Sequence, residues 1–168
     1  MKKILVVLVA LALAAKAWFW FKGSSFSAGD SLDFSNPVYA QIRGSVTVGD
    51  RKLEEADLVK TANQQDCELQ LAMLDELYRR HNENELAMHV DSKSCDSTLP
   101  PHLAKTFDNI PSDFTYLSAA RGAFNEREVR AIIWGVTADE SQAACDFVIK
   151  LPMFRDRKGA VTCVRPNR

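Results

Sequence analysis

Residues 38–50 read Val38-Tyr39-Ala40-Gln41-Ile42-Arg43-Gly44-Ser45-Val46-Thr47-Val48-Gly49-Asp50. Val38, Ala40, Ile42, Gly44, Val46 and Val48 alternate with Tyr39, Gln41, Arg43, Ser45 and Thr47. This is the period of a strand with one buried face. Gly49-Asp50 supplies a two-residue hairpin turn. Residues 51–60 are therefore expected to return as a second strand, although their alternation is weaker.

Beyond the hairpin, Thr61-Ala62-Asn63-Gln64 has the form of a capping box, in which Thr and Gln satisfy the free amides of a helix start. Cys67, Leu71, Leu74 and Tyr78 follow at helical spacing, widened by Met73 and Leu77. Arg79-Arg80-His81 suits the negative end of that helix. Leu86, Met88 and Val90 predict a third strand, with Cys95 in the Ser/Asp-rich loop beyond it.

The second part of the domain repeats this order. After a short helical segment at 100–111 opened by Pro101, Phe114–Ala120 and Glu128–Val136 predict a second hairpin through Arg121–Arg127. Thr137-Ala138-Asp139-Glu140 is a second capping box. It precedes a helix carrying Ala143, Ala144, Phe147, Val148 and Leu151. Ala160–Val164 closes the chain as a strand. The order is either an ancient duplication of a ββαβ unit or a coincidence of common caps. Without strand 51–60 it reduces to the ferredoxin-like βαββαβ pattern. Either way the expected class is α+β, a largely antiparallel sheet with helices on one face.

Four cysteines, Cys67, Cys95, Cys145 and Cys163, fall one to each helix and one to each following strand region. Four cysteines allow three pairings. The repeated order favours Cys67–Cys95 and Cys145–Cys163, each worth roughly 3–3.5 kcal/mol in the chain-entropy model. Neither Cys-x-x-Cys nor a Cys/His pair at ligand spacing occurs, so no metal site or thioredoxin-type redox site is expected.

The N-terminus sets the compartment. Met1-Lys2-Lys3 precedes twelve unbroken apolar residues, Ile4–Ala15, the pattern of an export signal. Ala15-Lys16-Ala17 fits a cleavage site. However, Trp18-Phe19-Trp20-Phe21 follows at once and resembles an interfacial aromatic belt. As a helix, residues 4–21 span roughly 27 Å, close to the ~30 Å hydrocarbon thickness. The expected organisation is an anchor at 1–21, a Ser/Gly-rich stalk at 22–37 reaching about 20–24 Å, and a disulfide-stabilised domain at 38–168. Its expected place is the inner membrane with the domain in the periplasm, or free in the periplasm if the signal is cleaved.

The 168 residues are 46% apolar and 26% charged with a formal charge of −1, a globular balance. Four of the 21 bases lie in residues 1–22 and none of the 22 acids, so the remainder carries −5. That balance speaks against a nucleic-acid partner. Six bases against one acid in residues 150–168 form a local basic tail.

The chain contains no Gly-x-Gly-x-x-Gly, P-loop, His-Glu-x-x-His or Gly-x-Ser-x-Gly motif. No catalytic, cofactor or metal-binding residue is therefore assigned. His81, His89 and His102 read as helix-end, strand-surface and helix-start residues. Glu54/Glu55 and Asp75/Glu76 read as solvated faces, and Trp134 as core. Tyr116, Arg121 and Phe124, near the second hairpin, are the candidates for an exposed recognition patch. The leading functional expectation is a membrane-tethered extracytoplasmic domain that binds or scaffolds an envelope component. A soluble periplasmic enzyme and a cell-wall-binding module are the alternatives.

Overall fold

The computed structural model describes residues 32–48, 50–82, 88–120, 127–150 and 161–166. The proposed anchor, with Trp18, Phe19, Trp20 and Phe21, lies outside them, as do Arg121 and Phe124. Among the described residues no helix is long and apolar enough to cross a membrane.

Six strands, β1 (Val38–Val48), β2 (Arg51–Thr61), β3 (Met88–Asp96), β4 (Thr115–Ala119), β5 (Glu128–Trp134) and β6 (Val161–Val164), form one antiparallel sheet in the order β3-β1-β2-β5-β4-β6. The helices are α1 (Gln64–Asn82), α2 (Pro101–Ala104, continued by a 3-10 turn through Asp108) and α3 (Ala138–Lys150). The first hairpin has the expected register, Val48 opposite Arg51. β2 is a full central strand, which overturns the ferredoxin-like alternative.

The weak alternation of residues 51–60 has a structural cause. On one face of β2, Leu53 and Val59 meet α3 and α1; on the other, Ala56 and Leu58 meet α2, Phe114 and Tyr116. A strand covered on both sides need not alternate. The expectation of helices on one face is corrected accordingly. α1 and α3 share a face, while α2 packs on the opposite one, drawn there by buried Leu103.

The two ββαβ halves are related by a near-twofold. β1 lies between β3 and β2, and β4 lies between β6 and β5. Ala40 sits between Cys95 and Val59, as Leu117 sits between Cys163 and Ala131. Along the seam, Val59 pairs with Val129 and Asp57 with Ala131, which places the axis at the Leu58–Arg130 pair.

The matching Thr-Ala boxes do not carry that symmetry. Thr61 ends β2, and its hydroxyl donates to the Val38 carbonyl at 2.6 Å. Asn63 caps α1 instead, its Oδ1 accepting from the Asp66 amide at 2.9 Å. Asp66 returns a carboxylate oxygen to the Ala62 amide at 3.0 Å, a cap shifted by two residues. The second box is as expected: Glu140 N–H donates to Thr137 Oγ1 at 3.3 Å and Thr137 N–H to Glu140 Oε2 at 2.8 Å.

Both cysteine pairs are joined, Cys67 to Cys95 and Cys145 to Cys163, with Cα separations of 6.0 and 5.7 Å. Each ties the long helix of its half to an edge strand. Cys95 is thus a residue of β3, not of a following loop.

Candidate functional site

An open cleft of about 630 Å3 lies at one end of the second half. Three segments build it: the approach to β4 (Pro111, Asp113–Thr115), the exit of β5 into α3 (Ile133–Ala138, Ser141), and the end of β6 (Cys163–Pro166). Its volume falls within the range of about 300–1,000 Å3 typical of ligand sites.

The exit from β5 has a fixed course. Gly135 adopts φ of +80°, and a Cβ there would meet the Lys52 carbonyl at 3.2 Å, so glycine is required. The Gly135 carbonyl accepts from Arg51 Nη2. Arg51 also grips Glu140 through two nitrogens, at 2.7 and 3.1 Å. This guanidinium holds the Glu140 carboxyl down to about 2, against the opposing effect of burial, with the Thr137 amide and hydroxyl assisting. The rim is therefore locked from β2 across to the first turn of α3.

Inside the cleft wall the buried Thr115 and Ser141 hydroxyls share a hydrogen bond. Trp134, expected as core, is half-buried and lines the cleft. Its indole packs on the Phe114 ring at 5.2 Å and 62°, and Phe114 in turn meets Tyr116 and His102 edge-on at 6.1 and 6.5 Å. Asp113 and Arg165 are exposed at the margins.

Tyr116 does not belong to an exposed patch. It is fully buried under α2, and its hydroxyl donates to the Ile110 carbonyl at 2.9 Å. Burial raises its phenol above the ordinary value. The strand parity that points Tyr116 to the α2 face is readable only once α2 is known to cover it.

The acidic pairs also divide. Glu54 is exposed, but Glu55 points to the other face and is buried, as is Asp57. Tyr78 donates its phenol hydrogen to Asp57 at 3.2 Å, and burial, with Asp57 and Glu55 close by, pushes its ionisation far up. Asp75 meets Lys93 at 2.9 Å and Glu76 meets Arg79 at 2.7 Å. His89 lies on β3 and His102 near the start of α2, and both are exposed. Among the described residues no cluster of three or more metal-ligating side chains occurs.

Three features escaped the sequence reading. Arg130 is fully buried, donating to the Thr106, Phe107, Ala119 and Val129 carbonyls at 2.7–3.2 Å, with Phe107 stacked 4.6 Å from its guanidinium carbon. Arg127 and Asp66 form a buried ion pair. The cleft itself is the third; its one sequence signal is the Trp134-Gly135 step immediately before a helix cap. Comparison with known proteins returns no match for this chain, whether to a family model, a curated protein or a solved structure.

Proposed function

We propose that the chain is a membrane-tethered extracytoplasmic domain that presents the cleft beside α3 to a component of the cell envelope. The observation that carries this reading is the pair of disulfides, since such bonds form and persist in oxidising compartments. The basic–apolar–aromatic segment at residues 1–22 supports export and tethering. A binding role is favoured because the cleft joins an aromatic wall to a few marginal polar groups on a rigid frame.

The test combines carbonate extraction of membranes with intact mass and thiol alkylation of the native product. Retention in the membrane, a mass that includes residue 1, and four thiols that alkylate only after reduction are expected. Complete release into the wash defeats the tether, and four thiols reactive without reduction defeat export.

A further inference from the structure

The walls of the cleft narrow the chemistry of what fits it. Trp134 stands at the end of β5 with its indole braced by Phe114, which is 4% exposed and itself wedged between Tyr116 and His102. A ring held this way offers a flat, preorganised apolar surface that loses little freedom on binding. The negative face of such a ring attracts the weakly positive C–H groups of a saturated ring laid flat upon it.

The polar groups around the indole are few and of mixed kind. Among the described lining residues, Asp113 is the one acid and Arg165 the one base, both exposed at the margin. A carboxylate accepts from two neighbouring hydroxyls, and a guanidinium donates to ring or acetamido oxygens. One acid set against one base gives a polyanion or polycation no net attraction. The cleft is also open to the surface, so a polymer can run through it.

On these grounds we infer that the cleft is a glycan subsite, taking a pyranose ring on Trp134 with Asp113 and Arg165 meeting its polar edges. This rests on the proposal that the domain is exported and binds through this cleft. It adds the ligand class: an uncharged polysaccharide strand such as an envelope polymer supplies.

The test uses the full chain in detergent micelles, titrated calorimetrically with a soluble β-1,4-linked N-acetylglucosamine tetramer. Saturable binding is expected, weakened about tenfold by Trp134→Ala and less by Trp134→Phe, which keeps a ring on Phe114. Asp113→Asn is also expected to weaken it about tenfold. Thermal melts of each variant separate loss of binding from loss of fold. If Trp134→Ala does not fold, Trp134→Phe and the surface change Asp113→Asn carry the test. Absence of binding by the unaltered chain overturns the inference, as does equal binding by all folded variants, or saturation by a proline-rich peptide in place of the sugar. A photo-reactive residue at position 137 in living cells separates the two levels. An adduct with an envelope component but no tetramer binding defeats the glycan inference alone; neither adduct nor tetramer binding defeats the underlying reading as well.

Discussion

Arg127 and Asp66 stand 61 residues apart in sequence and meet as a buried two-point ion pair, with contacts of 2.6–3.0 Å. Asp66 lies in the first turn of α1, and Arg127 immediately precedes β5, so the pair binds the helix of one half to the seam strand of the other. Removing one partner leaves a desolvated charge, for which about 3–5 kcal/mol is the usual loss. Asp66→Ala and Arg127→Ala are each expected to lose stability in that range by urea denaturation. Asp66→Leu combined with Arg127→Met should lose clearly less than the two single losses added. Simple additivity would show that the ion pair does not couple the halves.

Acid sensitivity should localise at Glu140. Its carboxyl titrates near 2 in the fold, against an ordinary value of 4.5. Below 4.5 the unfolded chain takes up a proton that the folded chain refuses. The stabilisation is therefore complete above that value and disappears as pH falls towards 2. Glu140→Gln is expected to lose about 1–3 kcal/mol at neutral pH, since Arg51 is partly exposed and screened. Its stability should also fall less than that of the native chain between pH 4.5 and 2. Parallel pH profiles would place the acid sensitivity elsewhere.

Arg130 fixes α2 to the sheet through a planar fork of donors, and lysine has no such fork. Arg130→Lys keeps the charge yet leaves several buried carbonyls unmet. A loss of about 2–4 kcal/mol is expected, with amide hydrogen exchange accelerated first in residues 100–109. Near-native stability would reduce Arg130 to a packing role.

Gly44 is occupied territory. A Cβ there lies 2.6 Å from Tyr78 Cε1 and 2.9 Å from the His89 carbonyl, beside the register shift between Arg43 and Gly44. Gly44→Ala should destabilise by about 1–3 kcal/mol, as overpacking does. Adding Tyr78→Leu, which removes the ring, should make the glycine substitution milder than it is alone.

The disulfides differ in setting. Cys67 is fully buried in the core with Ala40, Val59 and Leu74, whereas Cys163 lines the cleft. Replacing either pair by serine should lower stability by about 3 kcal/mol. Loss of Cys145–Cys163 alone should also loosen the cleft, seen as faster exchange of residues 161–166.

What the sequence disclosed is what local periodicity and cap chemistry encode. β1 was legible because one face carries apolar residues and the other polar ones. The Thr137–Glu140 cap was legible because its four residues bond to one another. Cys67–Cys95 and Cys145–Cys163 followed from order in the chain. Thr61 misled because its hydroxyl found the Val38 carbonyl, a partner 23 residues away. Tyr116 and Glu55 misled for a related reason: whether a strand residue is wet depends on which helix covers that face. The cleft, assembled from three separated segments, has no local pattern at all.

Leu58 and Arg130 face each other on the axis between the halves. Two separate copies of a three-stranded unit, joined isologously along that seam, would set the axial residue against itself. An arginine there would face an arginine, a repulsion that a homodimer cannot escape. Within a single polypeptide the two positions are free to diverge. Here leucine answers the guanidinium, and docking of the halves no longer depends on concentration. Covalent fusion thus leaves a single guanidinium on the axis, met by Glu128 at 3.2 Å as well as by backbone carbonyls.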